Sequence, residues 1–194
     1  MFYVLIRIFF RIVLKLLRRW KVNGLSNLPL QGGLVVVSNH TSYWDPIIVG
    51  CALPRRINYL AKEELFRIPV FRSIITAMAA FPVKRDQTDR AAIRKALQYL
   101  TDGQLVGVFP EGTRNPTDQL LEPQLGAAML AFKGGVPMLP IGIIGARGLL
   151  GKVIVNIGQP VTFDLGRRVA RGDLENASEV IMSQISQLLA INKK

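Results

Sequence analysis

The chain has 194 residues, 49% of them hydrophobic, and 25 Lys and Arg against 13 Asp and Glu give a net charge of +12; mean hydropathy is +0.28. This length suits one domain, or one domain with an appendage, and the charge favours anionic partners such as nucleic acid, an anionic membrane surface or phosphorylated substrates. An aromatic content of 8% without a basic–aromatic repeat argues against a base-stacking surface, and a lone cysteine excludes an internal disulfide and a cysteine zinc site.

Residues 1–20 read M-F-Y-V-L-I-R-I-F-F-R-I-V-L-K-L-L-R-R-W. They lack the order of a signal peptide and the uncharged run of about 20 residues that a spanning helix needs. At about 100° per residue, Arg7, Arg11, Lys15 and Arg18 share one narrow sector. Phe2, Leu5, Ile6, Phe9, Phe10, Ile12, Val13, Leu16, Leu17 and Trp20 fill the rest. This predicts a basic amphipathic helix lying in the headgroup boundary of an anionic bilayer. The alternatives are a helix packed on the domain core and a partly inserted, tilted helix. Asn23-Gly24 should end it, and L-P-L-Q-G-G should turn. The domains expected are a membrane-associating helix over 1–22 and a catalytic domain over 23–194.

Leu34–Val37 reads as a buried strand. A helix over 46–53 follows, with Asp45 as N-cap and Pro46 at its first position; its apolar run I-I-V-G-C-A-L makes Cys51 a core thiol. Residues 57–61 suggest a strand, helical pieces flank Pro69, and 81–83 suggest a short strand. Ile93, Ala96, Leu97 and Leu100 mark a helix over 89–100, capped by Thr88 and stopped by Gly103. Strands are expected at 105–109, 138–144 and 152–157. Helices are expected at 123–133, opened by Pro123, and at about 174–190. Continuous apolar strands alternating with helices predict an α/β fold, with a mostly parallel or mixed sheet covered on both faces. Ligands of such sheets sit beyond the carboxyl ends of the strands. Three segments fall there: N-H-T-S-Y-W-D, K-R-D and P-E-G-T-R.

His40 is the single histidine, and Asp45 follows it with four residues between. On a helix the two side chains would point apart; across a strand-to-helix turn they can meet. A carboxylate on one imidazole nitrogen fixes the tautomer and leaves the other nitrogen free to take a proton, the arrangement of a general base. The same residues also fit a loop histidine beside a capping aspartate. No G-x-S-x-G nucleophile and no metal-ligand cluster is visible, so such a base would act on a substrate hydroxyl or water. In F-P-E-G-T-R, Gly112 permits close backbone approach, Thr113 can donate, and Arg114 can grip an oxyanion; the segment also fits a plain turn with a solvated arginine.

In order and spacing these segments resemble the glycerolipid acyltransferases, specifically the 1-acylglycerol-3-phosphate acyltransferases. N-H-T-S-Y-W-D (39–45) matches the family's H-x-x-x-x-D motif, and F-P-E-G-T-R (109–114) matches its third block. A-A-F-P-V-K-R (79–85) and V-P-M-L-P (136–140) resemble the second and fourth. A-K-E-E-L (61–65) resembles a segment with a phosphate-proximal lysine. Two positions depart: Ala79 stands where the family usually has Gly, and Gln124 where it often has Lys.

The resemblance implies acyl transfer from acyl-CoA or acyl carrier protein to a lysophospholipid hydroxyl, giving phosphatidic acid, without cofactor, metal or nucleic acid. His40 would be the base and Asp45 its orienting partner. Arg85 and Arg114, with Lys62, would hold the acceptor phosphate; Glu111, Gly112 and Thr113 would shape the pocket, and Pro140 would close the fourth block. Residues 1–21 would keep the enzyme on the cytoplasmic face of the membrane. Two other readings remain: a lysolipid acceptor with a different headgroup, and a non-catalytic basic membrane-binding domain.

Overall fold

The computed structural model describes residues 2–84, 89–115, 117, 119–163 and 169–191. Among them lie seven strands: β1 Lys21–Asn23, β2 Leu34–Ser38, β3 Ile57–Lys62, β4 Ala80–Val83, β5 Leu105–Val108, β6 Met138–Ile144 and β7 Ile154–Ile157. Six α-helices accompany them: α1 Phe2–Leu17, α2 Asp45–Ala52, α3 Pro69–Ala77, α4 Arg90–Thr101, α5 Gly126–Gly134 and α6 Arg171–Ala190. The strands form one sheet in the order β1-β7-β6-β2-β5-β3-β4. β6, β2, β5, β3 and β4 run parallel, β7 is antiparallel to β6, and β1 follows β7 in parallel.

All five residues of β2 are buried, as its uninterrupted apolar run requires of a central strand covered on both sides. On one face Leu14 of α1 and Ile48, Val49 and Cys51 of α2 pack over Val36, Ile57 and Leu139. On the other, Ala92 and Ala96 of α4, Ala128 and Leu130 of α5, and Ile181 and Ile185 of α6 pack over Val35, Val37 and Val106. The small residues on α4 and α5 let these helices approach the sheet closely. The expected α/β fold is the one observed, and it places the carboxyl ends of β2, β5, β3, β4 and β6 along one edge.

Several local expectations are corrected. The first helix ends at Leu17, not at Asn23-Gly24, because residues 21–23 join the sheet, Lys21 pairing with Ile154. A three-residue strand carries no periodic signal, and β1 crosses the boundary drawn at residue 22. Arg18 does not share the exposed cationic sector: it is 1% exposed. Its guanidinium donates to the carbonyls of Gly148 at 2.7 Å, Gly145 at 2.5 Å and Arg147 at 3.2 Å. Asp45 lies in the first turn of α2 while Trp44 takes the cap position; the carboxylate turns back to the preceding loop. α5 starts at Gly126, three residues after the expected start at Pro123; just before it, Gln124 N–H donates to Pro110 O at 2.7 Å. β5 stops at Val108 and β7 starts at Ile154, one residue short and two residues late. α6 starts at Arg171, its entry held by Asp173 accepting from Ala170 N–H at 2.8 Å. α4 is capped by Asp89, which accepts from Ala92 N–H at 3.0 Å; Thr88 lies outside the described residues.

Candidate active site

The expected turn between His40 and Asp45 forms. β2 ends at Ser38, and Asn39 is pinned to β6 by two bonds: Ile143 N–H to its Oδ1 at 2.8 Å and its Nδ2 to Ile143 O at 3.0 Å. The chain then swings over the sheet edge into α2. Asp45 is fully buried, and its Oδ2 accepts from Thr41 N–H at 2.6 Å and Ser42 N–H at 2.7 Å. The same oxygen lies 2.9 Å from His40 Nδ1. Two backbone donors on one oxygen fix the carboxylate before the imidazole meets it, so Nδ1 carries the proton in this contact. Among the described residues Nε2 has no hydrogen-bond partner, and the side chain is 14% exposed. That nitrogen is therefore the one open to a proton from a substrate.

The imidazole also has a floor. It stacks on Phe109, ring centres 4.0 Å apart and planes 18° from parallel, and Phe109 lies over Tyr59 in turn at 6.1 Å and 9°. Among the described residues the Tyr59 hydroxyl and Asp45 Oδ1 are buried without hydrogen-bond partners. Burial, with Tyr3, Cys51 and Asp45 nearby, holds the Tyr59 phenol well above its ordinary range.

Segment 109–114 sits beside the histidine at the end of β5. Glu111, 5% exposed, spends its carboxylate on the backbone: Oε1 accepts from His40 N–H at 2.8 Å and Oε2 from Leu121 N–H at 3.1 Å. It braces the His40 turn from below. Gly112 has φ +70°, and a Cβ there would meet Gln124 Cγ at 3.2 Å. So Gln124, where the resembled family often has lysine, lies directly against the third block. Asn115 N–H donates to His40 O at 2.7 Å, closing the loop on the histidine from the other side. Thr113 and Arg114 are exposed, and Arg114 rests on the Tyr43 ring, its guanidinium carbon 3.5 Å from the centre.

The remaining candidates are more scattered. Lys62 ends β3, is exposed, and pairs with Glu64 at 3.2 Å. Lys84 follows β4 and lines a cleft of about 200 Å³ with Glu63, Pro82, Asp89 and Lys95. Arg85 lies outside the described residues. Pro140 is not at the site: it is buried within β6 opposite Val37, three residues before His40 along the neighbouring strand, and its carbonyl accepts from Gly158 N–H at 2.9 Å. Sequence reasoning missed Asn39, Phe109, Tyr59 and Asn115 as parts of this site. Asn39 and Phe109 lay inside the quoted motifs, while Tyr59 and Asn115 carried no signal that a single sequence shows. Among the described residues no three His, Cys, Asp or Glu side chains gather as a metal site.

The profile of the Acyltransferase family matches residues 19–144, which contain every element of this edge from β2 to the end of β6. The chain belongs to the acyltransferase family. This acyltransferase is 31% identical over 185 residues to the 1-acyl-sn-glycerol-3-phosphate acyltransferase of Bacillus subtilis, covering 92% of each chain. It is 28% identical over 176 residues to the enzyme of that name from Borreliella burgdorferi, covering 87% of this chain and 70% of that one. A crystal structure titled as the 1-acyl-sn-glycerophosphate acyltransferase of Thermotoga maritima superposes with TM-score 0.77 at 29% identity, covering 99% of this chain and 81% of the other.

Proposed function

We propose that this acyltransferase esterifies the free hydroxyl of 1-acylglycerol-3-phosphate with an acyl group from a thioester, either acyl-CoA or acyl carrier protein, to give phosphatidic acid. The observation that carries the reading is the His40–Asp45 contact: a carboxylate with two backbone donors, 2.9 Å from Nδ1, on a histidine that is 14% exposed just past the end of β2. The names of the relatives point the same way.

The acceptor hydroxyl gives its proton to His40 Nε2 as its oxygen attacks the thioester carbonyl carbon. Asp45 stabilises the imidazolium that forms. The tetrahedral intermediate collapses, the carbon–sulfur bond breaks, and the leaving thiolate takes the proton back from Nε2. A well-placed base contributes on the order of 10²–10⁴-fold. Arg85, Arg114 and Lys62 hold the acceptor phosphate; for Arg114 this means leaving the Tyr43 face or presenting its edge from it. Gly112 and Thr113 shape the pocket, and Glu111 acts through the His40 backbone.

A second acceptor class stays in view because of Gln124. An amide against the Gly112 turn brings less charge to a phosphate than a lysine would, which suits a lysolipid with a different headgroup. A purely non-catalytic membrane-binding role has no use for the buried Asp45 arrangement.

We also read α1 as an interfacial anchor on the cytoplasmic leaflet. Its inner side, with Leu14 and Arg18, is buried, while Val4, Leu5, Ile8, Phe9, Ile12 and Leu16 are between 50% and 74% exposed. Arg11 and Lys15 are exposed beside that ridge. Among the described residues no helix is long and apolar enough to cross a membrane. The test of the activity is mass spectrometry of lipid products from 1-acylglycerol-3-phosphate with each donor. Phosphatidic acid is expected from at least one; none from either would overturn the assignment.

A further inference from the structure

The loop between β6 and β7, residues 145–152, reads G-A-R-G-L-L-G-K. Its neck is closed: a Cβ on Gly145, which has φ +73°, would lie 2.1 Å from Lys152 O. Three of its carbonyls are held by the buried Arg18 guanidinium at the end of α1. Arg147 ties it to the far side as well, donating to the carbonyls of Asn115 and Thr117. A loop fixed from two sides nevertheless keeps Leu149 and Leu150 at its tip 69% and 71% exposed.

Adjacent leucines held in water by a braced loop call for a partner. The surroundings select which. Exposed Lys152 lies just past the pair, and exposed Lys21 donates its backbone N–H to Val153 O beside the neck. No Asp or Glu occurs before Asp45 or between Glu122 and Asp164. Two side chains are far too little apolar surface for a protein interface, which needs roughly 800 Å² from each partner. They suffice as an insertion tip when cations beside them meet anionic headgroups. The loop follows β6, whose carboxyl end lies on the same edge as His40, and Arg18 joins it to the end of α1.

We propose that the 145–152 loop is a second bilayer contact, in which Leu149 and Leu150 enter an anionic leaflet at the lip of the active site while Lys152 lies at the headgroup phosphates. The proposal rests on the reading that α1 docks on a membrane. The Arg18 clasp then acts as a spacer: it fixes the loop relative to α1, so the two contacts together set how the His40 edge faces the lipid.

The test uses the full chain with vesicles of phosphatidylcholine and phosphatidylglycerol, about three to one. Leu149→Ser/Leu150→Ser should weaken partition by about tenfold or more, because both apolar tips are lost. The ratio of turnover on vesicle-borne acceptor to turnover on monomeric short-chain acceptor should fall in step. An environment-sensitive dye on Leu149→Cys, in a Cys51→Ala background, should shift to the blue on vesicles and be quenched by brominated lipid. This second readout does not depend on how the double variant folds. Undiminished partition of a folded double variant, or a dye that stays in water on bound protein, would overturn the loop contact while leaving the α1 reading intact. Failure of the unaltered protein to bind these vesicles would overturn both.

Discussion

At His40 the short contacts predict which substitutions silence the enzyme and how. His40→Ala removes the base and should lower turnover by at least the ~10²–10⁴-fold that a positioned base supplies. Loss of the Phe109 stack and of one of the three contacts on buried Asp45 Oδ2 should lower Tm modestly, the two backbone donors keeping that oxygen satisfied. Turnover equal to the unaltered protein, in a preparation free of host acyltransferase, would remove His40 from the mechanism. Asp45→Asn should cost both activity and stability. An amide in that place turns a nitrogen toward donors or leaves Oδ2's three contacts short of charge, a loss of about 1–3 kcal/mol for a buried group. A lowered Tm alongside lowered turnover is the expected pair. Cys51 should prove inert. Burial pushes its thiol up to about 11, so at pH 8 about one molecule in a thousand carries a thiolate. Native protein should resist iodoacetamide, and Cys51→Ala should keep its turnover. The spacing of His40 and Asp45 suggested a turn but left a loop histidine beside a capping aspartate equally open; the match to the H-x-x-x-x-D motif of the resembled family is what singled out the pair. The Asp45 cap expectation failed for a related reason: composition marks an acid at a helix start, but cannot say which amides its oxygen will choose. The Tyr59–Phe109–His40 ladder brings three separate strands or strand ends together, and nothing local announces it.

At the scale of elements, strands with long apolar runs were readable and their neighbours were less so. β2, β3 and β6 appear close to their expected bounds because β2 and β6 are buried along nearly their whole length and β3 over its first three residues. β1 was missed, and with it the true environment of Arg18. Helical spacing grouped Arg18 with Arg7, Arg11 and Lys15; spacing cannot tell which face docks, and here the cation turned inward toward three carbonyls. Arg18→Met should therefore lower stability by about 1–3 kcal/mol through unsatisfied carbonyls, read as a Tm shift with α1 still helical by circular dichroism. A substitution on a merely solvated cation would leave Tm unmoved. The same geometry decides how the proposed anchor should be probed. Deleting residues 1–21 would take Arg18, Leu14 and part of β1 with it. Serine at Ile8, Phe9 and Ile12 disturbs only the outward ridge, so vesicle binding should drop while Tm holds. The 109–125 region offers a prediction of its own. Gln124 lies against Gly112, and Gln124→Lys should lower KM for a phosphate-bearing acceptor severalfold with little change in donor KM. An unaltered acceptor KM would place that side chain outside the headgroup's reach.

For the whole molecule, proton linkage and charge layout govern behaviour in solution and at surfaces. Cys51, raised to about 11, and Tyr59, raised well above 10.0, both owe the shift to burial of groups that the fold keeps neutral. In the unfolded chain they give up protons near the reference values of 9.0 and 10.0. The stability they contribute is complete below those values and is lost as pH rises through the folded ones. Tm should therefore fall between about pH 9 and 11, and Cys51→Ala should soften the early part of that fall. The charges are distributed unevenly: all 13 acidic residues lie in 45–122 or from 164 onward. The acid-free stretches build α1, β1, β2, α5, β6, the 145–152 loop and β7. Net charge and pI were visible in the sequence, but that Arg18 is spent inside the fold and that the leucine loop is joined to the end of α1 needed the β1–β7 pairing and the Arg18 bonds. Attraction between exposed charges is screened within about 8–10 Å at ordinary salt, whereas apolar insertion is not. Association with anionic vesicles should accordingly have two components. Raising salt from about 0.05 to 0.5 M should weaken partition into phosphatidylglycerol-containing vesicles by roughly tenfold or more, since each cation near the surface contributes about 1 kcal/mol when unscreened. Partition into purely zwitterionic vesicles should be weaker at the outset and nearly independent of salt. Equal salt sensitivity on both lipids would mean that the apolar ridge contributes little, and salt-independent binding to anionic vesicles would mean that the cations face away from the bilayer.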